Sequence, residues 1–268
     1  MHQKYAKRSL AYELGVSRAS LYYVSKQMPK DWALKEKIAA VLSEHPSYGF
    51  RRVAIALHIN KKRTQRVMKL FGMRAYRRRG RKYRKISRAP RVHYENLLAT
   101  TVPERPHHIW ATDFTYLPYK GKFLYLSTVI DLFGREIVGW SISTNHAVPL
   151  ILQSLFASIS SHQRPAIFHS DNGSEYASVV VRRTLMELGV KISRSAPGCP
   201  WQNGFQESFY SQFKVDLGDT ERFKTLGELV YAVHRTIWEY NNTRIHSALR
   251  MPPKLFVNRY QKLLEKVS

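Results

Sequence analysis

The sequence has a single cysteine, Cys199, in 268 residues. That excludes a disulfide framework and a cysteine-rich zinc site, and it fits a reducing compartment. No apolar run approaches the roughly 20 residues that a membrane-spanning helix needs. The opening residues, Met1-His2-Gln3-Lys4, are basic and lead into no apolar signal core. A cytoplasmic chain without a membrane partner is expected. Acidic residues are also scarce: 19 Asp+Glu stand against 44 Lys+Arg, a formal net charge of +25. Such an excess points to a polyanion as partner. Neutralised phosphates release condensed counterions, so Lys and Arg supply affinity without reading sequence.

What is present is unevenly distributed. Residues 1–95 hold 25 Lys+Arg and 5 Asp+Glu, and no acid lies between His45 and Tyr94. The remaining 173 residues are nearly balanced, with 19 Lys+Arg and 14 Asp+Glu. About 44% of the chain is hydrophobic, enough for a sizeable core. The break predicts a helical DNA-binding region over 1–73, a basic linker over 74–100 and a catalytic domain over 101–262.

Within the first region, Ser9 to Leu14, a turn at Gly15 and a helix capped by Ser17 and running through Arg18 to Tyr22 read as a helix-turn-helix. A second unit spans 48–57, then Asn60 as a cap and a helix over 61–70. Val53, Leu57, Val67 and Leu70 are spaced for a buried stripe. The stretch 74–91 has no apolar period. It carries Arg77-Arg78-Arg79, Arg81-Lys82 and Arg84-Lys85, with Tyr76 and Tyr83 between them. Between two DNA-facing parts, this run reads as a phosphate-tracking linker that orders on binding.

The second region alternates differently. Strands are expected at 109–117, 123–131 and 136–143, a helix from Pro149 to Ile159 and a buried strand at 166–170. A helix over 179–188 stopped by Gly189, a strand at 191–195 and helices over 202–217 and 226–241 follow. The order β-β-β-α-β-α-β-α implies an α/β fold, a mixed five-stranded sheet with flanking helices.

Three acids lie in unusual surroundings. Asp113 is inside the apolar stretch Trp110-Ala-Thr-Asp113-Phe-Thr-Tyr116, and Asp171 ends an apolar strand at His169-Ser-Asp171-Asn-Gly173. Glu207 lies in Gln202-Asn-Gly-Phe-Gln-Glu207-Ser. A carboxylate in an apolar strand costs stability unless compensated. Gathered carboxylates repel, and a divalent cation removes the repulsion. Their oxygens suit hard ions such as Mg²⁺ or Mn²⁺.

These motifs resemble the DDE integrase core, and 35 residues separate Asp171 from Glu207. Tyr48-Gly-Phe-Arg-Arg52, Arg66-Val-Met-Lys-Leu-Phe-Gly-Met73 and the tail Tyr240-Asn-Asn-Thr-Arg244-Ile-His246 with Pro252-Pro253 resemble bacterial insertion-sequence transposases of the IS3 family, in their second-reading-frame protein. The resemblance covers roughly 30–258. It implies an RNase H-like core in which Asp113, Asp171 and Glu207 hold two metal ions. It also implies a water attack that frees a 3′-hydroxyl, and strand transfer by that hydroxyl. Lys214, two helical turns after Glu207, holds the position of the family's basic residue that contacts the DNA terminus.

Other residues were weighed as ligands or contacts. Asp131 reads as a turn cap and Glu175 as a weaker rival for metal. His169 reads as a partner standing behind the ligands. Asn203 fits either a contact to DNA or the active-site loop, or a cap, and Trp201 fits either base stacking or a core role. Cys199 reads as packing, and His107-His108 without cysteines reject zinc. The implied partners are double-stranded DNA, as element terminal inverted repeats and as target, and further copies of the chain. Family members often add a first-frame partner with a zipper, and no heptad run is present here. The competing reading is a non-catalytic DNA-binding regulator or domesticated transposase.

Overall fold

The computed structural model describes residues 7–22, 27–76, 94–196 and 199–267. Five strands form one mixed sheet: β1 (Ile109–Tyr119), β2 (Lys122–Asp131), β3 (Ile137–Ser143), β4 (Ile167–Ser170) and β5 (Lys191–Arg194). Their order across the sheet is β3-β2-β1-β4-β5. The first three are antiparallel neighbours, while β4 runs parallel to β1 and β5 parallel to β4. Lys120 and Gly121, both at positive φ (48° and 71°), turn β1 into β2. Two successive positive φ values match the twist of a hairpin.

Both faces of the sheet are covered, which is why β1 reads as a nearly continuous apolar run. Ile109, Ala111 and Leu117 face one core, and Trp110 and Phe114 face the other. The first core is closed by α7 (Gly204–Leu217) and α8 (Leu226–Asn242), through Phe209, Phe213, Leu229 and Val233. The second is closed by α5 (Val148–Ser161) and α6 (Val179–Glu187), through Ile151, Leu155, Val181 and Leu185. Gly139 lets α5 approach β3: a Cβ there would stand 2.7 Å from the Ser154 carbonyl oxygen. Ser178 caps α6 and Thr225 caps α8 through their hydroxyls, satisfying donors that a helix start leaves open.

The amino-terminal part is helical. It contains α1 (Lys7–Glu13), α2 (Gln27–Glu44), α3 (Phe50–Ala56) and α4 (Lys61–Leu70). Asn60 caps α4 as expected, its side chain accepting from Lys62 N–H at 2.8 Å. Leu34, Ile38, Tyr48, Val53, Val67 and Met68 form the small core. Two expectations need correction. Leu70 is 50% exposed and belongs to no stripe, because α4 turns that side away from α2 and α3. Residues Arg18–Tyr22 form a 3₁₀ turn instead of a second α-helix, although Gly15 makes the turn (φ +63°) and Ser17 caps it. Two helices escaped the sequence reading. The pattern of α2 is obscured by burial of Asp31 and exposure of Trp32. Helix α9 (Pro253–Val267) lies on the turn after β2, with Phe256 and Tyr260 against Phe133. No helix among the described residues is long and apolar enough to cross a membrane.

Candidate active site

The register of the sheet sets two of the acids side by side. β1 and β4 pair in parallel as Ile109↔Ile167, Trp110↔Phe168 and Ala111↔His169. Carried two residues on, the same register sets Asp113 opposite Asp171, on chains about 4.8 Å apart where they pair. Both carboxylates are anchored locally. Asp113 Oδ1 accepts from the Phe114 N–H at 2.9 Å, and Asp171 Oδ1 from the Gly173 N–H at 2.8 Å. Any Cβ at Gly173 would stand 3.0 Å from Asp171 Oδ1 and 3.2 Å from Glu175 Oε2, so only glycine leaves this cradle open.

The third acid arrives on α7, which is bolted to the same strand. Asn203 Nδ2 donates to the Thr112 carbonyl at 3.1 Å, and Gln206 Nε2 to the Ala111 and Thr128 carbonyls at 2.7 and 3.1 Å. Tyr210 Oη donates to the Asp113 carbonyl at 2.6 Å. Glu207 lies between Asn203 and Tyr210 on the helix surface, at steps of four and three residues, so it flanks Asp113. Its side chain is exposed. Among the described residues, no three of His, Cys, Asp and Glu stand close enough to cage an ion. Asp113 and Asp171 thus lie at one end of the sheet, with Glu207 exposed on the adjoining helix.

The surroundings are buried and polar. Burial, then the charges of Asp113 and Asp171, raises the Tyr176 phenol well above its ordinary range. Burial, then Asp113, does the same to Tyr210. Both phenols therefore stay neutral at ordinary pH. His169 is fully buried, with its two ring nitrogens on Ser193 Oγ (2.9 Å) and Ser195 Oγ (3.2 Å). Burial pushes it down to about 4, so it is a neutral strut between β4 and β5. Glu175 Oε1 pairs with His146 Nδ1 at 2.8 Å, and the His146 ring stacks on Phe114. Asp131 caps its turn, accepting from the Gly134 and His107 N–H groups at 3.1 and 3.2 Å.

The expected DNA contacts fall in several places. Lys214 lies on α7 with Nζ 4.7 Å from the Tyr116 ring, and it lines a cleft with Pro46, Tyr76 and Gly218. Asn203 is buried with its amide on β1, and it makes no capping bond. Arg18 is exposed on the 3₁₀ turn. Trp201 is 69% exposed, which removes the core role. Arg77, Arg78, Arg79, Arg81, Lys82, Arg84 and Lys85 lie outside the described residues. Sequence reasoning missed Gln206 and Tyr210, which hold α7 to β1. Their spacing, three residues from Asn203 to Gln206 and four more to Tyr210, was the available signal.

Comparison with known proteins agrees with this architecture. Residues 103–200 match a family described as Integrase core domain, and residues 188–253 match a second family of that description. The chain is 37% identical over 240 residues to the transposase for insertion sequence element IS904 of Lactococcus lactis subsp. lactis, covering 84% of this chain and 93% of that one. It is 32% identical to the InsK protein for insertion sequence element IS150 of Escherichia coli, over 93% of this chain and 92% of that one. A chain of a simian T-cell lymphotropic virus intasome superposes with a TM-score of 0.52 at 20% identity, covering 77% of this chain and 70% of that chain. That likeness is one of fold, the RNase H-like integrase architecture. Sequence identity along nearly the whole length of both relatives goes further: the chain belongs to the IS3 family of insertion-sequence transposases and is a DDE-type DNA transposase.

Proposed function

We propose that Asp113, Asp171 and Glu207 are the catalytic acids and together hold two Mg²⁺ or Mn²⁺ ions during cleavage and strand transfer. The observation that supports this reading is the β1–β4 register: carried two residues past Ala111↔His169, it aligns Asp113 with Asp171, and Glu207 lies on the helix that Asn203 and Tyr210 tie to β1. The donor set is all oxygen, as hard divalent cations prefer. Neighbouring carboxylates repel unless a cation stands between them.

Asp113 and Asp171 would hold the ions from the end of the sheet, and Glu207 would join them from the first turn of α7. When bound, such ions would supply electrostatic stabilisation to the attacking and leaving oxygens of an in-line displacement. Water first attacks the phosphodiester at the element end and frees a 3′-hydroxyl. That hydroxyl then attacks a target phosphodiester, and no covalent enzyme intermediate forms. Lys214 meets the terminal phosphate from the far end of α7. Asn203 fixes the active-site strand, holding Thr112 one residue before Asp113. Arg18 and the basic run from Arg77 to Lys85 track phosphates on the element's terminal repeat. The working form is a multimer holding two element ends and target DNA, with a first-frame partner as a further component.

Incubating the protein with labelled element ends and Mg²⁺ tests the reading. Cleavage and joining are expected. Binding without either would support the regulator reading in their place.

A further inference from the structure

The junction between the helical unit and the sheet buries a surplus of positive charge. Arg244 follows α8 and is 3% exposed. Its Nε donates to Asp216 Oδ2 at 2.6 Å and its Nη2 to Ser47 Oγ. Its Nη1 is buried with no hydrogen-bond partner among the described residues. Arg52, on α3, faces the same Tyr48 ring: the two guanidinium carbons stand 5.7 Å (Arg52) and 5.4 Å (Arg244) from its centroid. Arg52 Nε is likewise buried and unpartnered among the described residues.

Arg135 comes from the sheet side. It occupies the turn before β3 at φ +59°. The Asn241 amide clasps both backbone groups of Ile137 at 2.9 Å, so this turn is held against the end of α8, just before Arg244. Arg135 Nη1 and His246 Nδ1 are buried and unpartnered in the same sense. Burial, then the charges of Arg135, Arg52 and Arg244, pushes His246 down to about 4. Asp216 answers one of these charges. Asp131, which acts on Arg135, is engaged with backbone N–H groups of its own turn. Buried cationic donors without acceptors are costly, and several converging on one place form a ready cradle for an anion.

We propose that Arg52, Arg135 and Arg244, with His246, form a binding site for a phosphate oxyanion at this junction, filled by a phosphodiester of the DNA backbone. Guanidinium forks match phosphate oxygens in geometry and charge. Arg135 also lies 4.0 Å over the ring of Phe205, two residues before Glu207, so the site borders the active-site helix. A strand running from the acids toward the helical unit would pass here. The site does not depend on the acids' role, and Asp113→Asn protein retains it.

The test is thermal unfolding of the full chain in potassium phosphate against potassium chloride at matched ionic strength. Phosphate is expected to raise Tm with a saturable midpoint, beyond any effect of chloride. Arg52→Gln together with Arg135→Gln is expected to raise that midpoint about tenfold. Saturation with a short duplex should erase the phosphate increment, since the backbone then fills the site. An increment that persists beside DNA would identify free phosphate as the ligand and overturn the backbone assignment. Arg135→Gln alone lies outside the Ser47–Asp216–Arg244 tie and serves if the double variant fails to fold. It should lower the salt slope of duplex binding by about 0.9, one lost phosphate contact. Equal stabilisation by chloride, or an unchanged phosphate midpoint and salt slope in Arg135→Gln, would overturn the site.

Discussion

In the helical unit six side chains form the buried cluster, and a tie among Ser47, Asp216, Arg244 and Tyr48 fastens it to the rest. The sheet, by contrast, is covered by apolar helices on both faces, and its site is positioned by backbone register. Backbone pairing is hard to shift, because a slip of one residue would turn every side chain to the opposite face. A polar tie can be cut by one substitution. The candidate site thus stands on the sheet, and the helical unit is joined to it by a polar tie that a single substitution can cut.

The largest expected effect separates the two parts by function. Asp113→Asn, Asp171→Asn or Glu207→Gln should each reduce strand cleavage and joining more than about a thousandfold, roughly 4 kcal/mol of barrier. DNA binding, measured by gel shift, should be retained. Normal joining by any one variant would remove that residue from the site.

Next comes the tie. Asp216→Asn strips the partner from a guanidinium that is 3% exposed, which costs about 3 kcal/mol or more when a buried pair is broken. Hydrogen exchange should then show α3 and α4 opening while β1 and β2 stay protected. Equal protection in both parts would mean that the apolar contacts, not the tie, hold the unit.

Acid should weaken the whole molecule by a smaller step. Burial, acting first, holds His45, His107, His162, His169 and His246 below the ordinary imidazole range, with His107 at about 4. For a depressed histidine the unfolded chain takes the proton first, so stability is lost as pH falls from 6.5 toward 4. Asp131, pushed up to about 6, and Glu136, also raised, act oppositely below pH 6. Five imidazoles outweigh two carboxyls, so Tm should drop between pH 7 and 5. His107→Gln keeps an acceptor for Trp110 Nε1 and should flatten the profile by at most about 1.4 kcal/mol per pH unit. A profile unchanged by His107→Gln would show that this imidazole is not buried in the neutral form.

The smallest effect concerns the basic run. Replacing Arg77, Arg78 and Arg79 by Ala should weaken binding to all duplexes alike and reduce the salt slope by about 0.9 per lost phosphate contact. A constant slope would exclude them as phosphate contacts.

How legible was this in the sequence? The sheet was readable because most of its strands are apolar and are bounded by turn residues such as Lys120-Gly121 and Gly189. Asn60 and Pro149 marked helix starts through local chemistry. Helix α2 was hidden because its buried Asp31 is matched by Arg66, 35 residues away, a pairing that no local period reveals. Of the site, Asp113 and Asp171 were visible as charges ending or interrupting apolar strands. His169 was read as a supporting residue, but its partners Ser193 and Ser195, and the supports Gln206 and Tyr210, were not visible, since these contacts are set by tertiary packing. The Arg52–Arg135–Arg244 junction draws on α3, the turn before β3 and the end of α8, and only folding brings these together.

Divalent-ion binding to the protein–DNA complex, followed by Mn²⁺ electron paramagnetic resonance, probes the acid trio most directly. Wild-type complex should immobilise about two ions per active site, and Asp113→Asn and Asp171→Asn complexes should lose that signal while still holding DNA. Equal Mn²⁺ uptake by wild type and both variants would contradict the assignment of these acids as the metal-holding site.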